Sequence, residues 1–355
     1  MPTAFTLLLP CAGKSSRYPG VRPKWMLTLP EGDLAIARAA ASVPASPHRR
    51  IVAAIRADHE ARYGCKALLA KVFGEGLDVV VLEHDTNGPA DTVAQMIRRA
   101  GVAGPIAIKD ADSFFTPGPL PAPGFVSVSD VRRSPAMSNV GAKSFAVVND
   151  QGLVVEMVEK SLVSNHVCVG LYGFSDAALF LGAFDAVAGS SPEREIFVSH
   201  VMNRAIAGGM VVKPHVVDGL VDVGTLDDWR RYVRGRGTIV SDLDGVVFKN
   251  HARYFEPSWN QPDEPIAENV AALRHWSDGG AQLVFMTART EAYRTRTEAT
   301  LRQIGLKPHA LIMDCHHGRR FLVNDHAATN PFPSAVGISL ERDSATLGDH
   351  LRDWQ

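Results

Sequence analysis

The sequence predicts an α/β fold that is built twice, in two successive domains. Short apolar runs alternate with helical stretches over the first two thirds of the chain, a pattern typical of parallel sheets covered by helices. The same pattern starts again at Thr238, after a basic segment that contains glycines. At roughly 150 residues per domain, the 355 residues of the chain accommodate two domains. We therefore expect one domain over residues 1–234 and a second over residues 237–355.

In the first domain the sequence predicts parallel strands followed by an antiparallel-rich insertion. The parallel strands are expected at residues 5–9, 51–55, 79–82 and 105–109, with helices at 34–43 and 90–100. The insertion is expected to have strands at 126–128, 143–148, 154–158 and 167–174, then a helix at 193–208 and extended chain at 211–222. A helix and linker at 226–237 close the domain.

The second domain is predicted to be a smaller unit of the same class. Its strands are expected at residues 238–241, 283–286, 310–313 and 320–323, and its helices at 267–278 and 292–304. Because strands and helices alternate, a parallel sheet is expected here too.

Composition and charge exclude several classes of protein. Hydrophobic residues make up 46% and charged residues 21% of the chain, which excludes a disordered or low-complexity protein. Lys and Arg number 37 against 38 Asp and Glu, and the resulting net charge of −1 gives no general attraction to nucleic acid or to a membrane surface. The four cysteines form no CxxC pair, which fits a reducing compartment. No apolar stretch approaches the roughly 18 residues of a membrane span, so we expect a cytoplasmic protein; a homo-oligomer is left open.

A loop of small residues follows the first predicted strand. It reads PCAGKSSR over residues 10–17, with a Pro-Lys pair at 23–24. Backbone N–H groups at such a turn can bind phosphate, and Lys14, Arg17 and Lys24 add positive charge at the same edge. The loop is neither GxGxxG nor a Walker A loop, and taken alone it could equally be a solvated basic loop.

Carboxylates follow two later strands. The motif KDAD at residues 109–112 ends an apolar strand, and VDVGT at 221–225 places Asp222 beside a glycine turn. Glu159 and Lys160 end a third strand. Two carboxylates far apart in sequence suit one hard cation that bridges nucleotide phosphates. Singly, each is explained as well by a turn or a helix cap.

Taken in this order, the motifs resemble those of the sugar-phosphate nucleotidyltransferases, which include glucose-1-phosphate thymidylyltransferases and related cytidylyltransferases. The matching motifs are PCAGKSSR…PK, KDAD, EK, VGLYGF and VDVGTLDDW, spread over about residues 3–232. The resemblance implies a Rossmann-like, GT-A-like mixed sheet. It also implies transfer of a nucleotidyl group from an NTP to a small phosphorylated acceptor, with release of pyrophosphate and with Mg²⁺ as cofactor. The KDAD and EK…VGLYGF regions look similar to phosphoglutamine cytidylyltransferases, so the acceptor need not be a sugar, and CTP is the favoured nucleotide.

The resemblance also implies roles for particular residues. Arg17 and Lys24 would contact the NTP phosphates, Asp112 and Asp222 would hold Mg²⁺, and Lys160 would contact the acceptor phosphate. The loop has Ser15 where many members of the family have a glycine. The implied nucleotide-binding residues are Pro10, Ala12, Gly13, Lys14, Ser15, Ser16, Gly88, Asp91 and Thr92.

The second domain begins with a different motif, DLDG at residues 242–245, at the end of an apolar strand. A threonine at 287 and an Asn-Asp pair at 324–325 follow later predicted strands. This ordered set resembles the haloacid dehalogenase-like (HAD-like) hydrolases and implies a Rossmannoid domain, with a minimal cap because the gap before Thr287 is short. By this resemblance Asp242 is the nucleophile, Asp244 the general acid/base, and Thr287 orients the phosphoryl group.

The resemblance further implies a second Mg²⁺ site, formed by Asp242, Asp244 and Asp325. The family's lysine has no clear counterpart. Arg320 is favoured because it lies nearest the Asn-Asp pair, with Lys307 and Arg319 left open.

Three adjacent residues of the second domain have side chains that can bind a soft metal. Cys315, His316 and His317 are adjacent and cannot all face one ion in a strand or helix, so we expect them in a loop near the second site.

The leading hypothesis is a bifunctional enzyme of surface-glycan precursor synthesis. The alternatives are a phosphatase with a nucleotide-sensing domain and a non-catalytic assembly protein.

Overall fold

The computed structural model describes residues 5–15, 18, 22–44, 50–74, 76–121, 123–133, 140–190, 195–250, 259, 261–325 and 335–352. The chain divides into two compact units, Met1–Asp228 and Trp229–Gln355. Each unit is described by itself below. The division falls inside a helix, whereas the sequence places it just after that helix.

In the described part of the first unit, nine strands form one mixed sheet and two short strands form a separate pair. The sheet strands are β1 (Thr6–Pro10), β2 (Arg50–Arg56), β3 (Leu77–Leu82), β4 (Ile106–Lys109), β6 (Phe125–Asp130), β7 (Ser144–Val148), β8 (Val154–Glu159), β9 (His166–Phe174) and β10 (Lys213–Val216). The short pair is β5 (Ser113–Phe114) with β11 (Val221–Asp222).

The strand order confirms the mixed α/β prediction. The order is β10-β6-β9-β4-β1-β2-β3, with β7 attached to β9 and β8 attached to β7. Strands β4, β1, β2 and β3 are parallel, as the strand–helix alternation predicts. The insertion is antiparallel, because β9 runs opposite to both β4 and β6.

Seven α-helices are described among the residues up to Arg234, and the last of them spans the division between the units. Three of them, α2, α3 and α5, were not predicted from the sequence. The helices are α1 (Ala35–Ala41), α2 (Ala57–Tyr63), α3 (Cys65–Phe73), α4 (Pro89–Ala100), α5 (Ala177–Ser190), α6 (Val198–Ala207) and α7 (Leu226–Arg234). None of the described helices has the length and apolar composition that a bilayer crossing needs.

The sheet of the first unit is covered by apolar side chains on both faces. Side chains alternate between the two faces along a strand. In β1, Leu8 packs in the cluster that contains Val93 of α4, and Leu7 packs in the opposite cluster with Ile36 of α1. All of these side chains are fully buried. This burial explains why β1 is a continuous apolar run rather than an alternating one.

The second unit contains a parallel sheet of three strands in its described residues, in the order β12-β13-β14. Helices pack with it around a core that includes Leu243, Leu273 and Phe285. The elements are β12 (Thr238–Asp242), α8 (Ala267–Asp278), β13 (Gln282–Met286), α9 (Arg294–Gln303), β14 (Ala310–Ile312) and α10 (Leu347–Arg352).

One predicted strand is wrong. Residues 320–323 are not in a strand, and Phe321 and Val323 are 84% and 90% exposed. A strand in a sheet is stabilised by burying one or both of its faces, and this segment buries neither. Asp325, expected at the end of that strand, is therefore exposed and follows irregular chain. The HAD-like assignment of this unit stays a prediction.

Candidate active site

A cleft with a volume of about 730 Å³ lies at the carboxyl ends of β1 and β4 in the first unit. Loops that follow neighbouring parallel strands meet at one edge of a sheet, where α/β proteins bind ligands. Of the residues that the sequence predicts for this site, Ser16 and Arg17 lie outside the described residues. The predicted residues that line the cleft are Pro10, Ala12, Gly13, Lys14, Ser15, Lys24, Gly88, Thr92, Asp112, Lys160 and Asp222.

The loop after β1 is fixed at several points. Ser15 has a φ of 51°. Its carbonyl accepts a hydrogen bond from the N–H of Tyr18 (2.8 Å), and its hydroxyl accepts one from the N–H of Lys24 (3.2 Å). The buried Tyr18 hydroxyl donates to the carbonyl of Thr225 at 2.8 Å. The loop is thus tied to the turn that follows β11, and Lys24 is placed at the cleft.

The two predicted metal-binding carboxylates come together in this cleft. Strands β5 and β11 pair with Asp222 opposite Ser113, and the N–H of Val223 donates to the carbonyl of Asp112 at 2.8 Å. A Cβ placed on Gly224 would lie 2.9 Å from Oδ1 of Asp222 and 3.3 Å from Oδ2 of Asp112. Both carboxylates therefore face one position above Gly224, and a side chain there would displace the Asp222 carboxylate.

Each carboxylate of this pair contacts one lysine. Lys24 forms an ion pair with Asp112, and Lys143 forms one with Asp222. The four side chains are between 16% and 25% exposed, so water screens these pairs less than it screens pairs on an open surface. The sequence places Lys143 only at the start of a strand, and no motif singles it out. Among the described residues, no group of three His, Cys, Asp or Glu side chains could hold a metal ion.

Two further titratable groups, Lys109 and Asp110, precede Asp112 in the KDAD motif. Burial, with a contribution from the neighbouring Asp112, raises the pKa of Asp110 to about 6. Burial lowers the pKa of Lys109 to about 8, although nearby carboxylates oppose this shift. Perturbed groups in a cleft are typical of functional sites. Both residues belong to the KDAD motif, but the sequence assigned a role only to Asp112.

The segment that carries the predicted nucleotide-binding residues Gly88, Asp91 and Thr92 forms another wall of the cleft. Gly88 has a φ of 101°, and a Cβ on it would lie only 2.6 Å from the carbonyl oxygen of Ile196. Thr92 faces the cleft, but Asp91 does not line it. Instead, the Asp91 carboxylate accepts a hydrogen bond from the N–H of Asn87 at 2.8 Å. We therefore expect Asp91 to shape the loop rather than to touch a nucleotide.

Glu159 and Lys160 also line the cleft. The ammonium of Lys160 lies 5.1 Å from the centroid of the Phe197 ring. The carboxylate of Glu159 is oriented by two hydroxyls, because its Oε1 accepts hydrogen bonds from Ser144 (2.7 Å) and from Ser199. These two residues offer one cation and one fixed carboxylate to a ligand in the cleft.

The second unit gathers its own polar cluster at the ends of β12 and β13. The hydroxyl of Thr287 donates to Oδ2 of Asp244 at 3.3 Å. The guanidinium of Arg289, whose side chain is 3% exposed, donates to both oxygens of Asp244 and also to Oδ1 of Asp263 at 2.7 Å. The sequence did not predict Arg289 or Asp263 as site residues, although Arg289 lies two residues after Thr287.

Asp242 lies in the same cluster with a looser set of contacts. Its Oδ1 accepts a hydrogen bond from the N–H of Leu243 at 2.8 Å, and its Oδ2 is 4.0 Å from Nη2 of Arg320. Partial burial raises the pKa of the Asp242 carboxyl, and these two neighbours oppose the rise. Arg320 thus lies close to the predicted nucleophile. The metal-binding role of Asp325 stays a prediction.

The Cys-His-His run lies in the loop after β14, as the sequence predicts. The ring of His317 stacks on that of Trp259, with 6.5 Å between centroids. A positive charge on His317 lowers the pKa of Asp242. The loop that carries His317 therefore lies near the second cluster.

Comparison with known proteins shows the fold of the first unit. No protein-family model and no curated protein matches the chain. Among solved structures, the nucleoside-diphosphate-sugar pyrophosphorylase from Vibrio cholerae RC9 is similar, with a TM-score of 0.54, 19% identity, and coverage of 64% of this chain and 99% of that one. The inositol-1-phosphate CTP transferase from T. maritima has a TM-score of 0.52 and 18% identity, and the match covers 64% and 92% of the two chains. The matched part is N-terminal, and the first unit therefore has the nucleotidyltransferase-like fold that the sequence predicts.

Proposed function

We propose that the first unit transfers a nucleotidyl group from an NTP, with CTP preferred, to a small phosphorylated acceptor and releases pyrophosphate. One observation carries the proposal. Asp112 and Asp222, which are far apart in sequence, meet above Gly224 in a cleft that is also lined by the loop after β1 and by Lys24. The two similar structures support it, because one is named a pyrophosphorylase and the other a CTP transferase.

The proposed reaction needs little covalent help from the protein. An oxygen of the acceptor phosphate attacks the α-phosphorus, a new P–O bond forms, and the bond to the β-phosphate oxygen breaks. Catalysis then depends on positioning and on neutralising the charge that develops. Lys24 and the backbone N–H groups of the loop would bind the NTP phosphates, and Lys160 would bind the acceptor phosphate. We also propose that Arg17 contacts the NTP phosphates, as the sequence predicts.

A Mg²⁺ ion fits the carboxylate pair. Carboxylate oxygens are the hard ligands that Mg²⁺ prefers, and this ion is usually held by one or two carboxylates plus water and substrate phosphates. Asp112 and Asp222 would hold it, and two converging carboxylates match that requirement without a third protein ligand. When bound, the ion would act as a Lewis acid on phosphate oxygens.

The test is an assay of pyrophosphate release. The full-length chain is incubated with Mg²⁺ and each of the four NTPs, against a panel of sugar phosphates and phospho-amino acids. We expect release with at least one pair, highest with CTP, and none from the Asp222→Asn variant. If no pair releases pyrophosphate above the level of that variant, the proposal is wrong.

We further propose that the second unit is a Mg²⁺-dependent phosphatase, with Asp242 as nucleophile and Asp244 as general acid/base. The cluster of Asp242, Asp244 and Thr287, with Arg320 4.0 Å from the nucleophile, supports this proposal. Asp242 and Asp244 would contribute carboxylate ligands to the ion, and a ligand role for Asp325 stays a prediction. The full-length chain should hydrolyse a phosphate monoester in Mg²⁺, and Asp242→Asn should abolish turnover. If a broad panel of monoesters is not hydrolysed, a binding or assembly role replaces this one.

These activities fit a cytoplasmic enzyme that prepares activated precursors for surface polysaccharides such as a capsule. The two alternatives make different predictions in the same assays. A phosphatase with a nucleotide sensor would bind NTP without releasing pyrophosphate. An assembly protein would show neither activity.

A further inference from the structure

A lysine with no exposed surface lies three residues before Asp112. Lys109 ends β4, and its side chain is 0% exposed. Burying an ammonium group costs free energy unless its hydrogen bonds and its charge are satisfied. An apolar side chain of the same length would fill this position without that cost. The ammonium is therefore expected to form hydrogen bonds that an apolar side chain could not form.

The three N–H donors of the ammonium all have acceptors. Nζ of Lys109 donates to the carbonyl of Asp110 and to both the carbonyl and the hydroxyl of Ser113, each at 2.8 Å. An ammonium has three donors and no acceptor, so its hydrogen-bonding capacity is used in full. The acceptors lie on both sides of Asp112 in sequence, and the turn that carries Asp112 is closed around the ammonium.

The same contacts link this turn to its neighbours. The Ser113 hydroxyl donates to the carbonyl of Val169 in β9 at 2.8 Å. Ser113 is also the residue opposite Asp222 in the β5–β11 pair. Lys109 thus fixes the backbone that carries one carboxylate relative to the strand that carries the other.

The charge of Lys109 has nearby partners as well. Asp110, Asp112 and Asp222 all favour its protonated form, and Lys24 opposes it. The ammonium therefore offsets part of the repulsion among three carboxyl groups at the base of the cleft.

We propose that Lys109 is a positioning residue of the first-unit site. It holds the turn at residues 110–113 so that Asp112 and Asp222 present their oxygens to one divalent cation. The inference rests on the proposed nucleotidyl transfer, because that reaction supplies the need for the cation. Lys109 itself touches neither the nucleotide nor the acceptor.

The experiment measures Mn²⁺ binding to the full-length chain by electron paramagnetic resonance, with saturating CTP. Ions whose binding is lost in Asp222→Asn belong to the first-unit pair, which separates them from ions bound at the second unit. Lys109→Met should lower the Mn²⁺ affinity of this pair by about 10- to 100-fold, the usual effect of losing a group that orients metal ligands. CTP affinity measured in EDTA should stay unchanged.

The sign of the change in Mn²⁺ affinity distinguishes a positioning role of Lys109 from an effect of its charge alone. Removing one positive charge near two carboxylates would by itself tighten cation binding. A loss of affinity in Lys109→Met therefore supports positioning. Ser113→Ala removes one of the three acceptors but keeps the charge, and should weaken Mn²⁺ binding in the same direction by a smaller factor.

A matched control accounts for a general loss of stability. Ser127 is fully buried in β6, and its hydroxyl lies 2.9 Å from Nδ1 of His215. Ser127→Ala removes a buried hydrogen bond from the same sheet, so it should lower the melting temperature and leave Mn²⁺ affinity unchanged.

The outcomes that would overturn the positioning role differ from the one that would overturn the metal site. Unchanged or tighter Mn²⁺ binding in Lys109→Met would overturn the positioning role. If that variant does not fold, unchanged binding in Ser113→Ala would overturn it instead. A wild-type protein without Asp222-dependent Mn²⁺ binding would instead overturn the proposed metal site, and with it the basis of the proposed function.

Discussion

Replacing Gly224 by alanine should impair nucleotidyl transfer while the protein stays folded. The new Cβ would lie 2.9 Å from Oδ1 of Asp222, about 0.5 Å short of the 3.4 Å at which ordinary contacts begin. The same oxygen accepts a hydrogen bond from the N–H of Gly224 at 2.7 Å. The carboxylate of Asp222 therefore has to move away from the position that it shares with Asp112. The φ of Gly224 is outside the left-handed region, so alanine meets no backbone strain there.

The size of the effect follows from this displacement. A misplacement of about 1 Å at a reaction centre costs about 10²-fold in rate. A shift of about half that size should cost about tenfold in kcat. Because the displaced group is a proposed metal ligand, the Mg²⁺ concentration at half-maximal rate should rise as well.

The assay is pyrophosphate release with CTP and the best acceptor, measured across Mg²⁺ concentrations. Gly182→Ala in α5 is the matched control, because a Cβ there meets nothing within 4 Å. It should keep the wild-type rate and stabilise the protein by about 0.5–1 kcal/mol, as expected for a helix-interior glycine. A folded Gly224→Ala protein with wild-type kcat and Mg²⁺ dependence would refute the assignment of the carboxylate pair.

Three further predictions concern other parts of the molecule. Asp222→Asn should abolish pyrophosphate release and keep phosphatase turnover, and Asp242→Asn should do the reverse; loss of both activities in either folded variant would contradict two separate sites. Gly88→Ala should lower the free energy of unfolding by about 1–3 kcal/mol and raise the KM for NTP, because its Cβ would press on Ile196. Gly101→Ala, also at positive φ but in open space, should lower the free energy of unfolding by less, and equal losses would disprove the role of the contact. The pKa of Asp110 rises from 3.8 to about 6 on folding, so between these values the native state binds more protons and stability should fall as pH rises. In EDTA, Asp110→Asn should flatten this slope in thermal unfolding, and an unchanged slope would contradict the burial of an ionisable group there.

The sequence predicts those elements whose pattern reflects burial. Strand β1 is recognised because its leucines are buried on both faces of the sheet, which gives a continuous apolar run. Helix α5 is missed because it is apolar on nearly every side and has no clear helical period. At residues 320–323 the prediction fails for the opposite reason. The apolar run predicts a strand, but its side chains are exposed. Hydrophobicity alone cannot distinguish these cases, because the partner surface is not visible in the sequence.

The site shows the same limit at a finer scale. Asp112 and Asp222 are recognisable as carboxylates after strands, but what brings them together is the pairing of β5 with β11, two strands of two residues each. A strand of two residues has no measurable period, so no pattern in the sequence predicts that pairing. Lys143 and Lys109 are missed for the same reason: each acquires its role only from the neighbours that the fold places around it. Motifs therefore identify which groups can perform the chemistry, whereas the partners that orient those groups become visible only in the folded chain.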